Sequence, residues 1–250
     1  MADRLRWLGH STVLLDLDGV RLVTDPLLRR RVLHLRRAAG LEPASLETVE
    51  AVLVSHVHHD HLDLPSLRRI GRETRVIVPR GAGRLLARHG FVATELAVGE
   101  QTALGPLSIR AVRADHPGRR AVGATADAVG YVIAGSLAVY FAGDTDLFPE
   151  MAEVADRVDV ALVPIWGWGP RLGPGHLDPE RAAEALALVR PRLAVPIHWG
   201  TYYPLTSTRR SPPAFLTEPL ERFRRAAAER APTVDVRVLP VGGTLDLSSI

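Results

Sequence analysis

Ser55-His56-Val57-His58-His59-Asp60-His61 is the stretch that decides how this chain reads. It follows Ala51-Val52-Leu53-Val54, a continuous apolar run of the kind that forms a buried strand. The chain holds ten histidines, and four of them fall within six positions here. In extended backbone, residues two apart project to the same side. His56 and His58 can therefore grip one ion together, while Asp60 and His61, past the strand where the chain turns, can face a second. Imidazole with carboxylate suits zinc, iron or manganese. The chain has no cysteine, which excludes disulfides, thiol nucleophiles and thiolate metal sites.

Working outward, five more chemistry-bearing residues sit at the ends of strand-like runs or in turns: Asp25 after Leu22-Val23-Thr24, His116 after Ala111 to Asp115, Asp144 after Val139 to Gly143, His176 in a Gly/Pro loop, and His198 after Val195-Pro196-Ile197. Val13 to Leu17 and Val20 to Val23 flank Asp18-Gly19, a two-residue hairpin signal. Further strands are expected at Arg75 to Val78, Leu107 to Val112, Gly130 to Ile133, Leu137 to Phe141, Val158 to Val163, Leu193 to Ile197 and Val234 to Leu239. Helices are expected at Gly83 to His89, ended by Gly90, after Asp178-Pro179-Glu180, and over Pro213 to Arg230. Arg29 to Leu41, basic with apolar residues between, reads as a short surface helix. A strand-rich first half followed by strands alternating with helices argues for sheets with helices packed outside.

Composition narrows the class. At 250 residues, with 46% apolar and 24% charged, the chain has globular composition and material for a sizeable core. No linker or repeat interrupts it, so one domain over residues 1–250 is expected. The net charge is only +3 and every cation is Arg, the pairs being scattered as on a solvated surface, so no nucleic-acid partner is expected on charge grounds. No stretch nears the roughly 20 apolar residues of a membrane span, and no secretory segment is visible at Met1-Ala2-Asp3-Arg4, so a cytoplasmic location is expected.

Together these residues resemble the metallo-β-lactamase superfamily, whose ordered signature is Asp, H-x-H-x-D-H, His, Asp, His. Within it, Trp7-Leu8-Gly9-His10-Ser11-Thr12, Thr24-Asp25-Pro26, Phe141 to Thr145, His176-Leu177-Asp178-Pro179-Glu180 and Ile197-His198-Trp199-Gly200-Thr201 are most similar to the branch of N-acyl phosphatidylethanolamine-hydrolysing phospholipase D and ascorbate-6-phosphate lactonase. The resemblance implies an α/β fold, the four-layer αββα sandwich, with two divalent ions at one edge: zinc first, manganese or iron as alternatives. His56, His58 and His116 would hold the first ion, Asp60, His61 and His198 the second, and Asp144 would bridge them. Asp25 would orient a ligand histidine, and His59 would fill a variable slot.

A hydroxide held between two such ions would attack a phosphodiester or lactone-type ester. Asp60 could then accept a hydrogen bond from the nucleophile, and His176 is the candidate proton donor to the leaving group. His10, Trp166, Trp168, Tyr202 and Tyr203 are candidate pocket residues, and Arg119 and Arg120 could read a phosphate. A small-molecule or lipid-like substrate is expected, and a homo-oligomer is compatible with the chain. The alternative is a nucleic-acid-processing nuclease on the same fold. Such nucleases carry an inserted domain after the bridging aspartate, and the stretch from Asp144 to His198 has room only for a strand and a helix.

Overall fold

A computed structural model describes residues 2–38, 40, 46, 48–118, 125–205, 214–248 and 250. In chain order the elements are β1 (Arg4–Gly9), β2 (Thr12–Leu17), β3 (Val20–Thr24), β4 (Arg31–Val32), β5 (Leu35–Arg37), β6 (Ala51–Leu53), α1 (Leu64–Ile70), β7 (Arg75–Pro79), α2 (Gly83–Ala87), β8 (Ala93–Leu96), β9 (Gln101–Leu104), β10 (Leu107–Arg113), β11 (Val129–Ala134), β12 (Ala138–Phe141), β13 (Val160–Pro164), α3 (Pro179–Val189), β14 (Leu193–Ile197), β15 (Tyr202–Pro204), α4 (Glu218–Arg230), β16 (Asp235–Val236) and β17 (Thr244–Asp246). One seven-stranded sheet runs β17-β1-β2-β3-β6-β7-β8, a second runs β16-β14-β13-β12-β11-β10-β9, and β15-β5-β4 form a small third.

The strands are apolar on both faces because both faces are covered. On β6, Ala51 and Leu53 join the core between the two large sheets, while Val52 and the following Val54 face α1 and α2. On β13, Val160 and Leu162 point to the inter-sheet core, and Ala161 and Val163 pack towards α3 and α4. This period-2 division of one strand between two cores yields four layers, helix, sheet, sheet, helix. It is the αββα sandwich that the motif order implied.

Local chemistry fixes the connections. Asp18 and Gly19 both take positive φ, 48° and 82°, as a two-residue hairpin requires. Asp178 caps α3 by accepting the Arg181 N–H at 2.8 Å, with Pro179 in the first turn.

Three expectations are corrected. Arg29 to Leu41 is not a helix: Arg31–Val32 and Leu35–Arg37 pair as a hairpin, and Arg37 registers with Tyr202. Val32 and Leu35 bury with Leu27 and Tyr202, and Leu33 turns the chain at φ 48°, so the alternation is that of a strand. The segment's residues 39 and 41 lie outside the described residues. The last helix begins at Glu218 rather than Pro213, which is also outside the described residues. Among the described residues, only Asp235–Val236 of the Val234 to Leu239 run joins a ladder, against β14.

β3, β6, β7 and β8 are mutually parallel, as are β12, β13, β14 and β16. In open α/β sheets, ligands bind outside the carboxyl ends of such strands. Asp25 follows β3, the histidine cluster β6, His116 β10, Asp144 β12 and His198 β14.

Candidate metal centre

Asp25, wholly buried at φ 32°, is the lowest layer of the site. Its Oδ1 accepts the Ser55 N–H at 2.7 Å, and its Oδ2 accepts the Ser55 hydroxyl at 2.5 Å and His61 Nδ1–H at 2.7 Å. With its proton given to Asp25, Ser55 Oγ is the acceptor for His56 Nδ1–H at 3.0 Å. One carboxylate therefore sets the orientation of two imidazoles, directly and through Ser55. His116 gives Nδ1–H to the Gly175 carbonyl at 2.7 Å, and His198 gives Nδ1–H to the Trp166 carbonyl at 2.9 Å. Four rings are thus tethered outward by Nδ1 and turn Nε2 inward, the arrangement in which ligating histidines are held.

The inward atoms converge. His56 Nε2 lies 2.9 Å from His58 Nδ1, which lies 3.1 Å from His116 Nε2. His61 Nε2 and His198 Nε2 are 3.3 Å apart. Asp144 sits between the groups, with Oδ2 3.2 Å from His61 Nε2 and Oδ1 3.3 Å from His198 Nε2. Donors around a tetrahedral ion at zinc–nitrogen distances are about 3.3 Å apart. Asp144 Oδ1 is buried and, among the described residues, accepts no hydrogen bond. Ring nitrogens crowded within 2.9 to 3.3 Å of one another, beside a buried carboxylate oxygen left without a hydrogen bond among the described residues, are what a cation would reconcile, so the donor set fits metal ions. Asp60, His61 and His198 form one group with His10, and His56, His58 and His116 form another. His176 joins His116 and Asp144 in a third, its Nε2 3.5 Å from Asp144 Oδ2.

Burial is the main cause that holds His116 down at about 4 and His198 at about 3, so both are neutral at pH 7. Burial also holds His56 well below the ordinary histidine value. It pushes His61 the same way, but Asp144, Asp60 and Asp25 outweigh it and leave His61 well above that value. Asp60 and Asp144 remain well below the ordinary carboxylate range: burial opposes this, and the surrounding histidines prevail. His176, which burial alone would lower, is raised by its hydrogen bond to Asp144.

The other sequence candidates fall around this centre. His10 is buried against Asp60, with Nε2 to Oδ2 3.1 Å. Tyr202 is buried with its ring 5.5 Å from that of His10 and its hydroxyl donated to the Arg29 carbonyl at 2.5 Å. Trp166 donates Nε1–H to the Gly169 carbonyl, Trp168 packs on His34, and the Arg36 guanidinium lies over Tyr203. His59 is exposed and belongs to none of the converging groups among the described residues. Arg119 and Arg120 lie outside the described residues.

Sequence reasoning missed Ser55, although its place directly before His56 was a signal. It also missed the carbonyls of Gly175 and Trp166, for which no side-chain signal exists. Gly175 takes φ 79°, and a Cβ there would come within 2.7 Å of Pro117 Cδ and 3.1 Å of His116 Nδ1, so glycine is required for that carbonyl to reach His116.

Comparison with known proteins places the chain in a family. The chain is 30% identical to an N-acyl-phosphatidylethanolamine-hydrolyzing phospholipase D of Caenorhabditis elegans, over 94% of this chain and 72% of that protein. It is 30% identical to a UPF0173 metal-dependent hydrolase of Methanopyrus kandleri, over 96% and 97% of the two chains. A solved metallo hydrolase of Ignicoccus hospitalis superposes with a TM-score of 0.71 at 25% identity, covering 98% of each chain. The profile of the beta-lactamase superfamily domain matches residues 20–199, the span from β3 through His198. The chain belongs to the beta-lactamase superfamily and has the metallo-β-lactamase fold.

Proposed function

We propose that this protein is a metal-dependent hydrolase that binds two divalent ions and cleaves a phosphodiester or lactone-type ester in a small or lipid-like substrate. The observation that carries the reading is the set of imidazoles tethered outward by Nδ1, with His61 Nε2 and His198 Nε2 closing on Asp144, whose buried Oδ1 accepts no hydrogen bond among the described residues. His56, His58 and His116 would hold one ion, and Asp60, His61 and His198 the other, with Asp144 serving both. Zinc suits this nitrogen-rich set, and manganese or iron are the alternatives. Two such ions supply water activation at neutral pH and polarisation of the scissile ester oxygen.

The chain's own residues supply the rest. Asp60, kept ionised by His61 and His10, is the acceptor that orients the attacking water through a hydrogen bond. His176, raised by Asp144 and within 3.5 Å of it, carries a proton to the leaving-group oxygen. Asp25 and Ser55 keep His56 and His61 aligned throughout. The worm relative is a phospholipase D acting on N-acyl-phosphatidylethanolamine, which supports the ester class.

The test is turnover of bis-p-nitrophenyl phosphate and a lactone panel by metal-loaded protein, with loss on chelation and recovery on adding Zn²⁺ or Mn²⁺. Cleavage of nucleic acid with no turnover of either ester overturns the substrate reading.

A further inference from the structure

We infer that His10 is a positioning residue for Asp60: its Nε2–H holds the Asp60 carboxylate in place for the second ion and leaves the first pocket untouched. The inference rests on the two-ion reading above.

The His10 ring has no freedom of its own. Its backbone stands at φ 55°, a left-handed conformation that a residue with a Cβ adopts only at a cost. Three hydrogen bonds hold it there. The His10 N–H donates to Thr201 Oγ1 at 2.8 Å, and the His10 carbonyl accepts the His198 N–H at 3.0 Å and the Trp7 indole N–H at 2.9 Å. Gly9 before it takes φ 100°, and a Cβ there would come within 2.6 Å of the Arg37 guanidinium and 2.9 Å of the Thr201 methyl. That turn of β1 into β2 can therefore approach the loop after β14 only with glycine. The His10 ring lies 4.0 Å from that of His198 and edge-on to Tyr202 at 5.5 Å. It is 2% exposed.

All this fixes one polar contact: His10 Nε2 to Asp60 Oδ2, 3.1 Å. Asp60 is an ionised acceptor, so the ring nitrogen facing it carries the proton and has no lone pair to give an ion. Asp60 needs such a partner. It stands in a turn after β6, and its Oδ2 is 3.7 Å from His61 Nε2, beyond a direct hydrogen bond. The constraint is local to one pocket. His10 converges with Asp60, His61 and His198, and not with His56, His58 and His116.

The experiment titrates metal-free protein with Co²⁺, following the d–d absorption and the equivalents bound, with Zn²⁺ in competition. His10→Phe keeps the ring's packing and removes the donor. His10→Gln offers an amide N–H towards the same oxygen. Wild type is expected to take two equivalents. His10→Phe should weaken the second by about 10- to 100-fold, the usual effect of removing a partner behind a ligand, and leave the first unchanged. His10→Gln should recover most of the loss. In an Asp60→Asn background, His10→Phe should add little, because its effect passes through that carboxylate. Thermal unfolding of the metal-free variants verifies that each is folded.

Equal losses in His10→Gln and His10→Phe overturn the inference, as does weakening of both equivalents alike or an additive loss in the Asp60→Asn background. A wild-type protein saturating at one equivalent overturns the two-ion reading itself, and that result is read before any variant is made.

Discussion

Replacing Asp25 by Asn separates two things the carboxylate does. It accepts from Ser55 N–H, Ser55 Oγ–H and His61 Nδ1–H, all buried. An amide has one oxygen. With that oxygen kept on Ser55 N–H, the NH₂ faces His61 Nδ1, and two donors cannot face each other. His61 must then present a bare Nδ1, and its proton moves to Nε2, the atom 3.2 Å from Asp144 Oδ2 and 3.3 Å from His198 Nε2. A protonated Nε2 cannot ligate.

Asp25→Asn should therefore stay folded yet bind metal about 10- to 100-fold more weakly. Asp25→Ala removes the acceptor for at least the Ser55 and His61 N–H groups. At about 1–3 kcal/mol for each orphaned buried donor, that variant should lose about 2–6 kcal/mol of stability without metal. The assay pairs chemical denaturation of the metal-free proteins with a competitive zinc titration. If Asp25→Asn binds metal as wild type does, or unfolds as readily as Asp25→Ala, the tautomer argument is wrong.

Metal analysis after loading should approach two equivalents per chain, with Asp144→Ala losing the most because that residue faces both groups; a wild type saturating at one equivalent counts against the assignment. His176→Ala should keep its metal and lower kcat by about 10²- to 10⁴-fold, the range for a general acid, with a smaller loss on p-nitrophenyl esters, whose leaving group needs no proton; loss of metal instead would reassign His176 as a ligand. Gly175→Ala should weaken metal binding at His116 by displacing its carbonyl partner, measurable in the same titration. His116 and His198 have folded values of about 4 and 3 against about 6.5 unfolded, so below pH 6.5 the unfolded chain binds more protons. Their contribution makes metal-free protein lose stability as the pH falls from 6.5 towards 4, in a melting series. His61, raised in the fold, should release a proton when metal binds near neutral pH, measurable by calorimetry in buffers of different ionisation enthalpy.

Much of this protein was legible in residue order. His56, His58, Asp60 and His61 directly follow a buried strand, and His116, Asp144 and His198 each follow another, so candidate donor and strand end could be read together. The Asp18-Gly19 hairpin and the Asp178 cap were readable because their chemistry is local. Arg29 to Leu41 was misread because its few apolar residues fit either period, and the partner that makes it strand, Tyr202–Pro204, is far away in the chain. The tertiary structure alone decided the donor geometry. A ring's inward nitrogen depends on what holds its other nitrogen, and here those partners are Ser55 on Asp25, Gly175 O and Trp166 O. Two of them are backbone carbonyls, which every residue has; the glycine that one of them needs at 175 reads in the sequence only as part of a Gly/Pro loop, and it is the packing of distant loops that makes both specific.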